Sequence, residues 1–212
     1  MTSGFCVYFG GSFFPPHVGH DEMLCSLLRH PDVGELRLVP TFQNPLKNTA
    51  ALADMASLKR RFIKAWQDSL IARRVEGYNK LRIDWRELDR GCTSYTVDTL
   101  RDMLSERAAS RLPWVLSLGD DSLADLARWK DIEALLTLVR EVWVFPRGPR
   151  TERAFVNEIP EALRALTTWR LMLAEITDVS STEVRKTMEL SFDSQDRLRL
   201  KALVLPEVFE VL

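Results

Sequence analysis

The chain has 212 residues, 46% of them hydrophobic, so it can bury a substantial core in one domain or in one domain with a small appendage. Its 29 basic and 30 acidic residues nearly cancel, which argues against a global field that recruits nucleic acid or an anionic membrane. Three scattered cysteines without a C-x-x-C pair argue against a disulfide framework and a thiolate zinc site, and the lack of a signal peptide or long apolar run predicts a soluble cytoplasmic protein.

Short apolar segments alternate with amphipathic ones along the chain. Short runs bounded by turn residues predict buried strands at 5–9, 36–40, 81–85, 114–119, 141–145 and 171–176. Apolar residues at helical spacing predict helices at 20–30, 54–74, 94–109, 161–166 and 180–189, with further helical pieces at 121–129 and 131–136. The segment "PRGPRTER" at 146–153 has a loop-like composition.

Strands separated by helices imply crossover connections, and therefore an α/β fold with a parallel sheet. We predict a doubly wound, Rossmann-like sheet with helices on both faces. A single domain is expected over residues 1–212, and about 190–212 is expected to form a small C-terminal helical cap.

One turn, "YFGGSFFPPHVGH" at 8–20, holds two of the three histidines and three of the nine glycines. It follows the first strand, and ligands of such sheets bind at the carboxyl ends of strands. Gly10 and Gly11 let the backbone approach an anion, and His17 and His20 can both donate to one group. This pattern favours a phosphate chain over an ordinary tight turn, and over a zinc site on H-x-x-H, which lacks a third ligand.

The same turn resembles the glycine-rich turn and H-x-G-H motif of the nucleotidyltransferases, and "VSSTEVRK" at 179–186 resembles their second motif. Four further segments narrow the resemblance to the bacterial nicotinate-nucleotide adenylyltransferases: "TFQNPLK" (41–47), "TSYTVDTL" (93–100), "SLGDDSLADLARWKDIEALL" (117–136) and "VWVFPRGP" (142–149). The resemblance implies that AMP passes from ATP to nicotinate mononucleotide, with Mg²⁺ on the ATP phosphates, giving deamido-NAD and pyrophosphate.

The resemblance also implies roles for particular residues. The expected catalytic residues are His17, His20, Lys47 and Arg185. The expected ATP contacts are Gly10, Gly11, Ser12, His17, His20, Asp121, Ser181, Thr182 and Arg185. The expected mononucleotide contacts are Lys47, Tyr95, Thr96 and Trp129, the last by stacking its ring on the pyridine.

Ordinary structural roles remain open for several of these residues. Lys47 can equally be a solvated loop lysine, Trp129 a packing aromatic, and Asp121 an N-cap of the next helix. Ser180 or Ser181 can cap a helix, with Glu183 completing a capping box, and such a cap is compatible with anion binding.

Two positions depart from the family pattern. Phe14 stands where the turn usually has an acid, and Leu46 where the P-H-K loop has a histidine. Activity is still expected, because the main positive residues remain. Three alternatives stay open: nicotinamide mononucleotide as the acceptor, phosphopantetheine as the acceptor, and a catalytically silent nucleotide-binding module.

Overall fold

A computed structural model describes residues 4–43, 45, 54–106, 111–123, 125–149, 151–174, 176–190 and 194–212, so Leu46 and Lys47 lie outside the described residues. Six strands form one parallel sheet in the order β3-β2-β1-β4-β5-β6. They are β1 (Phe5–Gly11), β2 (Val33–Pro40), β3 (Leu81–Ile83), β4 (Trp114–Gly119), β5 (Glu141–Phe145) and β6 (Thr168–Leu171). The predicted doubly wound α/β fold is confirmed.

The helices in the described residues flank this sheet. They are α1 (Val18–Arg29), α2 (Met55–Ala72), α3 (Arg86–Arg90), α4 (Thr96–Ser105), α5 (Ile132–Leu138), α6 (Glu152–Glu158), α7 (Glu161–Arg164), α8 (Ser181–Leu190), α9 (Ser194–Leu203) and α10 (Pro206–Phe209). Among the described helices, none combines the length and apolarity that a membrane crossing needs.

Two apolar cores lie on the two faces of the sheet. On one face α1, α2 and α8 to α10 pack around a cluster that includes Leu24, Phe62, Val184 and Val208. On the other face α4 to α7 pack around a second cluster that includes Leu100 and other side chains. The chain builds outward from β1 to β3 and then returns to place β4 on the other side of β1. This reversal leaves a crevice between the carboxyl ends of β1 and β4, where ligands of such sheets bind.

Several predicted elements are wrong in place or type. The strand predicted at 171–176 lies at Thr168–Leu171, because the predicted run is not buried throughout: Leu173 is 97% exposed. The loop-like segment 146–153 contains the start of α6, whose first turn is capped by the Thr151 hydroxyl. The helical piece predicted at 121–129 consists of two short 3₁₀ turns, and α3 was not predicted.

Candidate active site

The first strand ends in a turn where two glycines are crowded by aromatic rings. A Cβ on Gly10 would lie 2.5 Å from the Tyr8 ring, and a Cβ on Gly11 would lie 2.8 Å from the Phe13 ring. Both positions therefore need a residue without a Cβ atom. Gly10, Gly11 and Ser12 line a cavity of about 330 Å³ at the carboxyl ends of the strands, so the backbone of this turn faces a space that a ligand can enter.

The predicted histidine pair lies at the start of α1 and lines the same cavity. His17 immediately precedes the helix and is 3% exposed, and its ring stacks on that of His20 with centroids 3.6 Å apart. The His17 backbone N–H donates to Nδ1 of His20 across 3.3 Å. Because Nδ1 accepts, a neutral His20 ring carries its proton on Nε2, which is then the atom that can donate to an anion.

The first turn of α8 approaches this junction from the far end of the sequence. The Ser180 hydroxyl accepts the Glu183 N–H across 3.1 Å, so Ser180 is the helix cap. Ser180, Ser181 and Thr182 all line the cavity. The first N–H groups of a helix have no partner within it, and its dipole is positive at that end. Since α1 also begins at the cavity, two helix N-termini are directed at one space.

Arg185 ties α8 to the first turn. Its Nη1 donates to the Phe14 carbonyl across 3.3 Å, and its Nη2 donates to the Thr182 hydroxyl across 3.1 Å. Among the described residues that line the cavity, Arg185 is absent. In this conformation the guanidinium therefore joins two cavity-lining segments that are 171 residues apart.

A third wall of the cavity comes from the segment that leads into α4. Tyr95 and Thr96, at the start of this helix, line the cavity together with Trp129. The Trp129 ring is half-buried and packs against the core on this face. The Lys130 ammonium lies 4.7 Å from the centroid of the Tyr95 ring and donates to Asp98 across 2.8 Å. The predicted mononucleotide residues within the described chain thus lie together, on the opposite face of the sheet from α8.

Asp121 lies in the short 3₁₀ turn after β4 and also lines the cavity. Its Oδ2 accepts from Nη2 of Arg147 across 2.9 Å, while the Arg147 backbone N–H donates to Asp120 across 2.9 Å. Arg147 follows β5, lines the cavity and was not singled out from the sequence. The side chain of Asp121 is thus held against a cation.

A buried lysine lies beneath the first turn. Lys59, on α2, is 1% exposed, and its ammonium donates to the Ser12 hydroxyl (3.2 Å), the Thr41 carbonyl (2.6 Å) and the Phe42 carbonyl (3.0 Å). The Phe14 ring, at the position where the family pattern has an acid, lies 5.7 Å from the ammonium. Burial lowers the pKa of Lys59 from 10.5 to about 8. Lys59 thus holds the first turn against the segment after β2.

A buried carboxylate lies on the α4 side of the cavity. Glu87, on α3, is 2% exposed and lines the cavity. It accepts from the Tyr8 hydroxyl across 3.1 Å and from the Thr99 hydroxyl across 2.7 Å. Burial raises the pKa of this carboxyl, and the two hydroxyl donors oppose that effect.

The structure brings most of the predicted site residues to one cavity. Those lining it are Gly10, Gly11, Ser12, His17, His20, Tyr95, Thr96, Asp121, Trp129, Ser181 and Thr182. Arg185 lies beside it, and the prediction for Lys47 concerns a residue outside the described chain. Lys59 was missed, although its spacing from Met55 and Phe62 on the apolar stripe of α2 was a usable signal.

Comparisons with known proteins give one consistent set of relatives for this chain. A family model described as cytidylyltransferase-like matches residues 8–187. A probable nicotinate-nucleotide adenylyltransferase of Leptospira interrogans is 32% identical over 184 residues, which cover 84% of this chain and 82% of that protein. A protein of the same description from Listeria monocytogenes is 29% identical over 180 residues, covering 85% and 84%.

A solved structure shares the fold. The nicotinic acid mononucleotide adenylyltransferase of Plasmodium falciparum, complexed with NaAD, superposes with a TM-score of 0.73 at 18% identity, covering 99% of this chain and 94% of that one. The same protein complexed with APC gives a TM-score of 0.72.

Proposed function

Because the chain belongs to the cytidylyltransferase-like family, we propose that it transfers AMP from ATP to nicotinate mononucleotide, giving deamido-NAD and pyrophosphate. Curated relatives carry the name of this activity, including one that is 32% identical over 84% of the chain. The observation that carries the proposal is the shared cavity, which is lined both by the turn after β1 and by the first turn of α8.

We propose that the triphosphate lies between these two segments. The N–H groups at the starts of α1 and α8 offer partial positive charge, and His20 offers an Nε2 proton. Phosphoryl transfer needs little covalent help from a protein, so positioning and stabilisation of charge supply most of the catalysis. Arg185, which donates to both the Thr182 hydroxyl and the Phe14 carbonyl, holds the two segments next to each other.

The reaction requires no protein nucleophile. An oxygen of the mononucleotide phosphate attacks the α-phosphorus of ATP and forms a new P–O bond. The bond to the β-phosphate breaks, and pyrophosphate leaves with the electron pair. Because the second pKa of a phosphate monoester is about 6, the acceptor is ionised at neutral pH and needs no general base. The histidines are therefore proposed to stabilise negative charge on the phosphates.

We propose that the pyridine ring lies between Tyr95, Thr96 and Trp129, on the α4 side of the cavity. An aromatic side chain gives a flat apolar contact for a ring of this size. Asp121 is proposed to accept from a ribose hydroxyl, an acceptor role that its pairing with Arg147 still permits, because a carboxylate has about four lone-pair sites.

Mg²⁺ is proposed to accompany ATP, where it neutralises phosphate charge. Within the described residues, no cluster of three or more His, Cys, Asp and Glu side chains is arranged to hold a metal ion. The donor set suits Mg²⁺ on the nucleotide, because this ion prefers phosphate oxygens and water with only one or two carboxylates.

The test is to incubate the protein with ATP, Mg²⁺ and one acceptor at a time, and to measure pyrophosphate release and product mass. Nicotinate mononucleotide should give deamido-NAD fastest. Nicotinamide mononucleotide must be tested in parallel, because the buried Glu87 carboxylate lines the cavity on the pyridine side. A carboxylate can accept a hydrogen bond from the amide of nicotinamide, whereas it repels the carboxylate of nicotinate. His20→Ala should be nearly inactive, whereas His30→Ala, at the other end of α1, should retain the wild-type rate.

Two outcomes would contradict the proposal. Pyrophosphate release with phosphopantetheine but with neither pyridine mononucleotide would assign another acceptor. Binding of ATP without pyrophosphate release under any acceptor would assign a silent nucleotide-binding module.

A further inference from the structure

The cavity extends over both faces of the sheet. On the α4 face its lining includes Tyr8 and Leu116, which belong to the core on that side. On the α8 face its lining includes Phe9, Met23 and Phe145, which belong to the other core. The pyridine ring is proposed to occupy the part of the cavity on the α4 face. The part on the α8 face is therefore available for the adenine base of ATP.

Ser117 lies in the lining of this second arm. Side chains alternate along a strand, and its neighbours Leu116 and Leu118 face the α4 side. Ser117 is paired in register with Phe9 on β1 and Trp143 on β5, whose side chains belong to the α8-side core. The Ser117 side chain therefore points to the α8 face.

The Ser117 hydroxyl is buried and lacks a hydrogen-bond partner within the described chain. The residue is 2% exposed, and the side chains paired with it in register, Phe9 and Trp143, offer no acceptor. Burying a hydroxyl without a partner is unfavourable, so an apolar residue would serve this position better if packing alone decided it. A serine at position 117 is explained if a bound ligand supplies the hydrogen-bond partner of its hydroxyl.

We propose that the Ser117 hydroxyl hydrogen-bonds the edge of the adenine base, which makes Ser117 a specificity-determining residue for the nucleotide. The inference rests on the proposed function, because it takes the phosphates to lie at the starts of α1 and α8. Ser117 lies two residues before the end of β4, roughly 7 Å back along the strand, among apolar and aromatic groups. That environment suits a flat base and not a charged phosphate. A hydroxyl both donates and accepts, so it can pair with a ring nitrogen or an exocyclic amine.

The experiment compares Ser117→Ala with Ser69→Ala. Ser69, on α2, has an equally buried hydroxyl without a partner in the described residues, but it does not line the cavity. The dissociation constants of ATP and of tripolyphosphate are measured by calorimetry, the KM of nicotinate mononucleotide by pyrophosphate release, and the melting temperature of each ligand-free protein by calorimetric unfolding. Ser117→Cys, which keeps the side-chain size and weakens the hydrogen bond, is the second variant.

Ser117→Ala should weaken ATP binding about tenfold, the effect of one lost hydrogen bond, and leave tripolyphosphate binding and the KM of the mononucleotide unchanged. Ser117→Cys should lie between Ser117→Ala and the wild type. Ser69→Ala should bind ATP like the wild type. Neither alanine variant should melt below the wild type when ligand-free, because each removes a hydroxyl without a partner.

Three outcomes would overturn the assignment of Ser117. The first is wild-type ATP affinity in Ser117→Ala and Ser117→Cys. The second is equal weakening of ATP and tripolyphosphate, which would place the effect at the phosphates. The third is a wild-type protein that binds tripolyphosphate as tightly as ATP. A protein that binds ATP and transfers nothing would refute the proposed function alone. The role of Ser117 would still be tested by comparing ATP binding with tripolyphosphate binding in the variants.

Discussion

Replacing Lys59 by methionine removes the ammonium that joins two cavity-lining segments and keeps an unbranched side chain of similar length. In the wild type this group donates to Ser12, Thr41 and Phe42 at 2.6 to 3.2 Å. The variant leaves the two carbonyls and the Ser12 hydroxyl without their common donor. It also removes a positive charge from beneath the proposed phosphate site.

The magnitudes for folding and for catalysis differ in a way that can be measured. Lowering the pKa of Lys59 from 10.5 to about 8 disfavours its charged form by about 3 kcal/mol. Replacing the lysine removes that cost but leaves the two carbonyls without their donor, at about 1–3 kcal/mol each, so the two effects largely cancel. A buried apolar replacement is therefore expected to change the free energy of unfolding by less than about 2 kcal/mol. Misplacing catalytic segments by about 1 Å costs on the order of 100-fold, so kcat/KM should fall about 10- to 100-fold.

The assay pairs urea unfolding with pyrophosphate kinetics for the wild type, Lys59→Met and Lys59→Arg. The pKa of about 8 reflects burial first, with the carboxylate of Glu87 raising it and the cation of Arg185 lowering it. The wild-type kcat/KM should decline as pH rises through about 8, because Lys59 loses its charge. Lys59→Arg keeps its charge and should lack this decline.

Stability should move in the opposite direction over the same pH range. Between about pH 8 and 10.5 the unfolded chain still holds the Lys59 proton that the folded protein has released. The contribution of this group to the free energy of unfolding therefore rises with pH, so alkaline loss of activity is not unfolding of this site. Wild-type kcat/KM in Lys59→Met, or an alkaline decline that persists unchanged in Lys59→Arg, would show that the Lys59 charge does not support catalysis.

Three further predictions concern the cavity. His17→Ala and His20→Ala should each lower kcat about 10²- to 10³-fold in the pyrophosphate assay, as loss of a charge-stabilising donor does, and full turnover in either would exclude that histidine from the phosphates. Trp129→Ala should raise the KM of the mononucleotide more than that of ATP, and the reverse ratio would make this ring a packing residue. Ser180→Ala removes the cap of α8 and should cost about 1 kcal/mol in urea unfolding and raise the KM of ATP, whereas Thr151→Ala, which uncaps α6, should lower stability alone. An equal effect of both cap variants on ATP would contradict the role of α8.

The sheet was predictable because its central strands are continuous apolar runs bounded by turns. Strands β4 and β5 have the predicted bounds, 114–119 and 141–145. The edge strand β6 was placed three residues too late, because the apolar run after it includes Leu173, whose side chain faces solvent. A run of apolar residues forms a buried strand only where other elements cover it. The sequence around β6 does not show which of its residues will be covered.

The convergence of distant segments on one cavity was predictable from two motifs and the rule for parallel sheets. Lys59 was harder to predict, since burying an ammonium is costly and a charged residue in an amphipathic helix usually faces water. Its partners are two carbonyls that only the tertiary fold brings within reach. Ser117, between two leucines in a buried strand, was visible as an exception, but its face of the sheet became clear only from the register with β1 and β5.

The most direct test of the account is a crystal structure of the protein with a non-hydrolysable ATP analogue and nicotinate mononucleotide. We predict phosphates in contact with His20 and with the first turn of α8, the adenine beside Ser117 and the pyridine against Trp129. Density for the phosphates that touches only one of the two helix N-termini, or that lies outside their shared cavity, would contradict it.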